Sequence, residues 1–504
     1  AESMTARNSA RHRALHVLSA IPGLENIDVL LDTTMNAVVE AFNATCNRWR
    51  DLYLAALRQA DVQNRIIRDA SRSAADKQQA VRLRREAEAQ LKLLTEIDTL
   101  SQSDFYSYRY FATEGFLPGY SFPRLPISAF IPARRTRQRD EFLSRPRFLA
   151  ISEFGPRAIV YHEGSRYLIN QVIMPVSIMD EDEPLTHQAK QCAHCGYLHP
   201  IQSDINYDLC QRCGMPLEPP LSSLLRLQNV VTRRRDRISS DEEERLRLGY
   251  EIRTGVRFSE RDGRLSVQTA EIVHDGQPIV RLTYAPAATL WRINLGWARR
   301  KNKNQHGFVL DVERGYWARN EQLEDDPTDP MSQRTKRVIP YVEDSRNCLL
   351  LEPLVPIEVD VMASLQAALK RAIEACYQLE DNELAAEPLP DVYERRLILF
   401  YESAEGGAGV LRRLVSETDA LANVAHNALE ICHFDPVTGT DSRRAKRAYE
   451  DCEAACYDCL LSYGNQREHM LLDRKKIRDW LFTFANAHIK ISPTSDTRSE
   501  HLEY

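Results

Sequence analysis

The feature that most constrains the fold of this chain is a group of cysteines near its C-terminal end. The group comprises Cys432, Cys452, Cys456 and Cys459, and the last three lie within one short segment. Four thiolates can enclose one Zn²⁺ tetrahedrally, and a site without an open position is structural rather than catalytic. The pattern therefore predicts a module whose fold depends on a bound zinc ion.

A second group strengthens this interpretation, because it consists of two CxxC pairs. These pairs are Cys192/Cys195 and Cys210/Cys213, and 14 residues separate them. The separation is just below the spacing that is usual for a zinc ribbon. A glycine follows each pair, which allows the backbone to turn its amides towards the sulfurs. The spacing predicts a second structural zinc site, and two disulfides or four free thiols are the alternatives.

Three histidines could replace a cysteine as a zinc ligand. They are His194, His199 and His469. A role on the surface or in the core is the competing interpretation for each of them. The chain is therefore expected to bind two structural Zn²⁺ ions through the eight cysteines, and these histidines are alternative ligands.

Length and composition limit the other possibilities. A chain of 504 residues is expected to form three or four domains. The sequence contains no run of 18 apolar residues and no signal peptide, which predicts a cytoplasmic protein without a membrane span. Its net charge is −6, so any binding to nucleic acid must come from local basic patches. The chain begins at Ala1 without an initiator Met, which fits a processed start or a piece of a longer polypeptide.

The pattern along the chain predicts an α+β multidomain fold. Residues 1–103 have helical periodicity and form a helical region with a long helical hairpin. Residues 104–345 are predicted as a β-rich domain into which a zinc ribbon at 190–217 is inserted, with one strand at 147–151. Residues 346–490 alternate between helix and strand and form a C-terminal α/β zinc-binding module. The tail at 491–504 is polar and predicted to be disordered.

Several short basic runs could contact phosphates. Arginine and lysine contacts with phosphate supply most non-specific affinity for nucleic acid. The runs considered for this role lie at 134–139, 233–237, 299–303 and 443–447. The residues chosen as nucleic-acid ligands are Arg233, Arg234, Arg235, Arg299, Arg300 and Lys301. A solvated surface is the alternative interpretation for each run.

Sequence motifs for catalysis are absent from this chain. It contains no GxxxxGK[ST] loop, no Asp-Glu-x-His/Asp box, no HExxH and no GxSxG. Asp391 and Glu402 could belong to a nuclease carboxylate set, but no Lys lies two residues after Glu402. The chain alone is therefore not expected to hydrolyse ATP, and a metal-dependent nuclease remains a weaker alternative.

Two C-terminal segments resemble a known family. The strand-and-turn segment at 396–409, which ends in Gly406-Gly-Ala-Gly409, and the Cys452-to-Asn465 segment are similar to the MrfA-like zinc-binding module. That module lies at the C-terminus of bacterial superfamily 2 helicases. Upstream segments at 48–53, 115–123 and 148–164 resemble the C-terminal half of very large helicases of anti-phage defence systems, such as the Druantia type.

This resemblance covers most of residues 40–490. It implies Zn²⁺ at the four C-terminal cysteines, a DNA-processing role, and a helicase motor located upstream or in a partner subunit. We therefore predict the zinc-binding C-terminal region of a bacterial defence-type helicase, which binds or routes DNA and docks other defence proteins. A protein assembly scaffold that does not bind DNA is the main alternative.

Overall fold

The structure is a computed structural model, and it describes residues 4–20, 27–95, 107–113, 116–117, 125–132, 141–174, 186–201, 207–237, 249–261, 264–318, 331–403, 407–445 and 448–491. The chain divides into two compact units. The first comprises residues 1–118 and 174–183, and the second comprises residues 119–173 and 184–504. The predicted tail lies outside the described residues from position 492 onwards. No helix in the described part of the chain is long and apolar enough to cross a membrane.

The first unit is helical, as predicted. Its helices are α1 (Met4–Leu18), α2 (Ile27–Arg68), α3 (Ala74–Thr95) and α4 (Ser107–Thr113). Helices α2 and α3 form a hairpin in which small side chains are buried, among them Ala56 and Ala87. The Tyr110 hydroxyl in α4 donates to the Thr45 carbonyl in α2 at 2.9 Å. Helix α4 therefore belongs to the helical unit, although the sequence predicted a boundary at residue 103.

The second unit contains most of the strands. Its first part contains β1 (Ile127–Ile131), β2 (Glu141–Arg145), α5 (Arg147–Glu153), β3 (Ile159–His162), β4 (Ser165–Val172), β5 (His187–Gln191), β6 (Leu198–Ile201), β7 (Leu221–Arg226), β8 (Val230–Arg237), β9 (Tyr250–Arg257), β10 (Glu260–Arg261), β11 (Arg264–Leu265), β12 (Gln268–His274), β13 (Gln277–Trp297) and β14 (Phe308–Asp311). Its C-terminal part contains β15 (Thr335–Pro353), α6 (Val359–Tyr377), β16 (Leu384–Leu389), β17 (Leu397–Glu402), α7 (Val410–Ser416), α8 (Ala420–Ile431), α9 (Arg474–Ala485) and β18 (His488–Ile491).

Two large sheets organise these strands. A five-stranded sheet has the order β2-β1-β8-β4-β3. An 11-stranded sheet has the order β18-β12-β13-β15-β7-β5-β6, and β9, β14, β16 and β17 pair with its members. Its central pair, β13 and β15, is antiparallel and extends from Val280 opposite Pro353 to Ile293 opposite Tyr341. The mixed α+β fold class is thus confirmed.

The two faces of the large sheet pack against different cores. Side chains alternate along a strand, so neighbouring residues contribute to opposite faces. In β15, Leu349 and Leu351 pack with helices α6 to α9 in one core. Their neighbours Cys348 and Leu350 pack in a second core that includes the CxxC cysteines. Strand β17 alternates in the same way. The C-terminal cysteines and the ribbon cysteines therefore belong to cores on opposite faces of one sheet.

This arrangement bears on the boundary predicted at 345/346. That position falls inside β15, which runs without a break through Thr335–Pro353. Neighbouring residues of β15 contribute in turn to the two cores. The β-rich region and the C-terminal module therefore share one sheet. The sequence indicated two separate segments because the helices begin only after the strand ends.

The strand predicted at 147–151 is wrong, because this segment forms helix α5 (Arg147–Glu153). Pro146 occupies the N-cap position, and its carbonyl accepts the backbone amide of Ala150 at 2.9 Å. Ala150 and Ile151 are buried while Leu149 is exposed. A short apolar run does not distinguish a strand from a buried helical turn, and only the surrounding packing decided the outcome.

Candidate zinc centres

The structure brings the four ribbon cysteines together. The sulfurs of Cys192, Cys195, Cys210 and Cys213 all lie within 4.8 Å of one another. The Sγ atoms of Cys192 and Cys213 are 3.5 Å apart, and those of Cys195 and Cys210 are 3.6 Å apart. Sulfurs at these distances can surround a tetrahedral Zn²⁺ with Zn–S bonds of about 2.3 Å. The predicted ligand set therefore fits a zinc ion without rearrangement of the chain.

Two similar turns hold these sulfurs in place. The amide of Gly196 donates to the carbonyl of Cys192 at 2.9 Å, and the amide of Gly214 donates to that of Cys210 at 2.8 Å. Both glycines have positive φ, 73° and 71°. An L-residue adopts that conformation at a cost, which explains why each CxxC pair is followed by glycine.

Hydrogen bonding among the thiols of this group shifts their pKa values in opposite directions. The interactions with Cys195 and Cys210 lower the pKa of Cys192. The interaction with Cys192 raises the pKa of Cys195, and it raises that of Cys210 to about 11. A divalent cation replaces the thiol protons, because metal ligation requires thiolates. Zinc uptake by this group is therefore expected to release protons.

A buried arginine connects the ribbon with the large sheet. Arg212 lies inside the second CxxC pair, and its side chain is only 9% exposed. Its guanidinium donates to Glu352 in β15 at 2.7 Å and also interacts with the Cys195 sulfur. Arg212 therefore joins a ligand sulfur to the sheet that supports the ribbon.

The second cluster is formed by the C-terminal cysteines and a histidine. Cys452, Cys456 and Cys459 lie within 4.8 Å of one another and of a ring nitrogen of His433. Nε2 of His433 is 3.2 Å from Sγ of Cys456, and Sγ of Cys456 is 3.5 Å from Sγ of Cys459. Three thiolates and one imidazole form a recognised structural zinc set.

Cys432, which the sequence assigned as the fourth ligand, is not part of this described cluster. It caps the C-terminus of α8, is fully buried, and packs among the helices of the C-terminal core. Burial raises the pKa of its thiol to about 12. The next residue, His433, has a φ of 65°, and this left-handed conformation directs it differently from its neighbour. Sequence spacing alone could not separate these two adjacent candidates.

His433 is suited to metal ligation in its protonation state. Burial lowers the pKa of its imidazole, so the ring is neutral and keeps a free lone pair. Positive φ at a residue other than glycine is uncommon, and histidine is among the residues that tolerate it. A His preceding a CxxxCxxC segment at this distance was a signal that the sequence contained.

Arg474 organises the backbone around the second cluster and was not identified as a site residue from the sequence. The residue is fully buried. Its guanidinium donates to the Cys452 carbonyl at 2.7 and 3.0 Å and to the Cys432 carbonyl at 3.2 Å. It also forms two bonds to Asp441, at 2.8 and 3.1 Å, and lies over the Phe434 ring at 5.0 Å. Arg474 thus ties together the two segments that carry the ligands.

The three histidines that were considered as alternative ligands, His194, His199 and His469, lie outside both clusters. Nε2 of His199 accepts the Gln211 amide at 3.1 Å, and Nε2 of His469 lies 3.0 Å from the Ser462 carbonyl. Nδ1 of His194 is buried and has no hydrogen-bond partner among the described residues. In the described part of the chain, none of the three joins a cluster of potential metal ligands.

The predicted nucleic-acid residues differ in exposure. Arg234 and Arg235 in β8 are exposed and Arg233 is half-buried, while Arg299 and Lys301 are exposed just after β13. Arg300 does not fit the predicted role, because it is buried. Its guanidinium donates to Glu251 at 2.7 Å, to the Lys303 carbonyl at 2.8 Å and to the Trp297 carbonyl at 3.2 Å. The run at 134–139 lies outside the described residues.

The nuclease carboxylates have structural partners. Glu402 is buried, and its carboxylate accepts the Leu411 amide and the Asn347 side-chain amide, both at 3.1 Å. Asp391 accepts the amides of Tyr393 and Glu394 in a turn. Among the described residues, neither carboxylate belongs to a group that could hold a metal ion. Both carboxylates therefore make hydrogen bonds that stabilise the local backbone.

Comparison with known proteins agrees with this geometry. Residues 365–460 match the family model of the MrfA Zn-binding domain. This range contains His433, Cys452, Cys456 and Cys459. The chain therefore carries an MrfA-like zinc-binding region, which confirms the resemblance of its C-terminal segments.

Two solved structures are also similar to the chain. One is the crystal structure of the DUF1998 helicase MrfA bound to DNA, with 10% identity and a TM-score of 0.33, covering 71% of this chain and 34% of that one. The other is the crystal structure of the DUF1998 helicase MrfA, with 10% identity and a TM-score of 0.27, covering 69% and 33%. The chain spans about a third of the length of these structures. No curated protein matches it.

Proposed function

We propose that this chain is the zinc-binding region of a DNA helicase and that it binds DNA while ATP is hydrolysed elsewhere. The observation that carries this proposal is that the matched domain at 365–460 contains a complete set of four clustered zinc ligands. The zinc ions would have structural roles, because each cluster supplies four protein ligands and leaves no open position. The proposed motor lies in an upstream segment or in a partner subunit.

The fold supports this proposal by providing a stiff platform. The two clusters belong to cores on opposite faces of one 11-stranded sheet. Fixing both faces limits the motion of the strands and loops between them. A rigid base of this kind suits a region that must hold a nucleic-acid strand against a moving motor.

The exposed cations offer contacts for phosphates. Arg234 and Arg235 lie near the end of β8, and Arg299 and Lys301 follow the end of β13. Cations of this type bind the backbone without reading base sequence. We therefore propose weak, sequence-independent DNA binding through these four residues, without a contribution from Arg300.

A salt titration tests the proposal. Binding of two unrelated duplexes is measured by fluorescence anisotropy at several salt concentrations. Each phosphate contact that is lost should flatten the plot of log affinity against log salt by about 0.9 on duplex DNA. The double variants Arg234→Ala/Arg235→Ala and Arg299→Ala/Lys301→Ala should each reduce the slope and weaken both duplexes equally.

Arg396→Ala is the matched control, since Arg396 is an exposed arginine outside both basic groups that pairs with Glu394. It should leave the slope unchanged. If the wild-type chain binds neither duplex, or if binding does not depend on salt, the proposal of duplex binding through these four cations fails. The isolated chain is also expected to show no ATPase activity, because its sequence lacks the phosphate-binding loop and the acidic magnesium box.

A scaffold function is the second candidate, and the first unit provides the observation that favours it. Several apolar side chains of α2 are exposed, including Val29 at 66%, Val62 at 49% and Phe42 at 42%. Exposed apolar residues on one long helix are suited to a protein partner. Loss of partner capture without loss of DNA binding on polar substitution of these residues would separate the two functions.

The proposed cellular setting rests on the resemblance of the sequence to large defence helicases. In this setting the chain acts in the bacterial cytoplasm with other defence-system proteins. Phage challenge of cells that carry the intact gene or a Cys456→Ser variant is the corresponding test. Equal resistance of both strains would remove the chain from that role.

A further inference from the structure

A wide groove borders the C-terminal zinc cluster. It has a volume of about 1320 Å³ and lies between helix α6, strand β16 and the segment at 457–468. Its lining includes backbone and side-chain polar groups from all three elements. The groove is therefore formed by the same module that carries the second metal cluster.

Two tyrosines line this groove with their rings exposed to solvent. Tyr463 is 85% exposed and Tyr457 is 54% exposed. Their ring centroids are 5.9 Å apart at an interplanar angle of 39°. His469 lies edge-on to Tyr457 at 6.0 Å. The rings thus form an aromatic step with one face open to the groove.

The backbone that carries this step is firmly held. Ser462 and Asn465 form a capping box at the start of the 3-10 segment Tyr463–Leu471. Arg371 donates to the Tyr457 carbonyl at 2.7 Å and to the Cys459 carbonyl at 2.6 Å. The buried Arg395 forms an ion pair with Glu468. The exposed Tyr463 side chain is therefore carried by a backbone segment that several hydrogen bonds and an ion pair hold in place.

The groove carries charges of both signs, and each of its carboxylates lies beside a basic side chain. Lys370 contacts both Glu374 and Asp381, Arg395 pairs with Glu468, and Glu387, which also lines the groove, pairs with Arg292. Among the residues that the structure describes, Arg371 and Arg467 have no carboxylate within ion-pair distance. Arg467 lines this groove and also a second cavity of about 390 Å³. Two cations beside exposed aromatic rings are the features that bind a single nucleic-acid strand.

We infer that the groove binds single-stranded DNA, with an unpaired base stacked on Tyr463 and phosphates near Arg467 and Arg371. This inference deepens the proposed function by assigning a strand type and a site to it. A duplex cannot use the step, because its bases are already stacked on one another. Stacking is available to every base, so the site is expected to bind strands without a marked sequence preference.

The test measures affinity for fluorescein-labelled (dT)15 and for a duplex of the same length. Tyr463→Ala should weaken (dT)15 binding roughly tenfold and leave duplex binding unchanged. Tyr463→Phe and Tyr463→Trp should retain affinity, because both keep a ring. Arg467→Gln should flatten the salt dependence for the single strand by about 0.7.

Tyr449→Ala is the control, since Tyr449 is 96% exposed in the same module but does not line the groove. Zinc content and thermal unfolding should be unchanged in every variant, because these side chains are exposed. If the chain binds the duplex and Tyr463→Ala does not change its affinity for (dT)15, this inference is overturned and the proposed function stands. Absence of binding to both probes overturns both.

Discussion

The two metal clusters of this chain are built in different ways. In the ribbon, all four ligands come from two copies of one turn, and each copy is closed by an amide of a glycine. In the C-terminal cluster, three cysteines come from one segment and the histidine comes from the end of a helix. Arg474, which lies outside both segments, fixes their backbones. The first cluster is determined locally, and the second depends on tertiary contacts.

This difference shows where each cluster is vulnerable. Backbone geometry within a few residues positions the ribbon sulfurs, so a turn defect should affect them most. Packing of α6, α8 and α9 positions the second cluster, since its cysteines belong to the core of those helices. Each cluster also uses one buried arginine, Arg212 or Arg474, and these provide a matched pair for experiments.

Loss of a zinc ligand should have the largest effect. Structural zinc contributes an apparent binding free energy of about 10–16 kcal/mol in small zinc modules, which is similar to the total stability of a domain. Cys456→Ser should expose the amides of residues 430–472 and part of α9 to hydrogen exchange. Cys195→Ser should expose the ribbon and leave α9 protected.

Elemental analysis gives the accompanying count, which should be two zinc ions in the wild type and one in each variant. A single zinc or none in the native protein would contradict the assignment of two structural sites. Equal exchange patterns in the two variants would remove the contrast between a local and a tertiary cluster.

Identification of the fourth ligand is the next test. His433→Ala should weaken zinc binding at the C-terminal cluster. The loss in affinity should exceed the roughly 10–100-fold loss that is typical when a residue hydrogen-bonded to a metal ligand is removed. Cys432→Ala should keep the metal and reduce stability by about 0.5–3 kcal/mol, as is typical of a core substitution. Absorption spectra of the Co²⁺-substituted protein report the number of thiolates. The opposite ranking of the two variants would restore Cys432 as the ligand.

The two buried arginines should differ in their contribution. Arg474→Met leaves two carbonyl groups and the partly exposed Asp441 without their partner, and the loss of these hydrogen bonds to a buried charge is expected to cost about 3–5 kcal/mol in total. Arg212→Met removes the ion pair with Glu352 in β15 and the interaction with the Cys195 sulfur, for which about 1–3 kcal/mol is expected. Denaturant unfolding measures both values. Transfer of zinc to a chromogenic chelator should accelerate at only one cluster in each variant.

The smallest effect is expected from the two ribbon glycines. A Cβ at Gly214 meets no atom within 4 Å, so Gly214→Ala carries only the cost of a left-handed alanine, about 1–2 kcal/mol. A Cβ at Gly196 lies 2.8 Å from Cδ2 of Leu389, which adds a steric cost. Thermal unfolding should therefore rank Gly196→Ala below Gly214→Ala. Equal melting temperatures would show that Leu389 moves aside freely.

The sequence predicted those parts of the fold that depend on near neighbours. The helical periodicity at 1–103 corresponds to helices α1 to α3, and the strand-and-turn segment at 396–409 contains strand β17 (Leu397–Glu402). The four ribbon cysteines could be grouped because their spacing and their glycines describe a local turn. The strand predicted at 147–151 was wrong, because the few apolar residues of this segment are compatible with either a strand or a helical turn.

The sequence by itself predicted two groups of zinc-ligand residues and the cysteine-rich segments that form them, because thiol spacing within a turn is a local property. Tertiary structure decided that both clusters are supported by one sheet, because alternate side chains of β15 and β17 enter different cores. It also placed His433, rather than the adjacent Cys432, beside the three cysteine sulfurs, and His433 has a left-handed φ at the end of α8. The burial of Arg300 and the exposure of Tyr463 were decided in the same way, since only packing determines which side of a segment faces solvent.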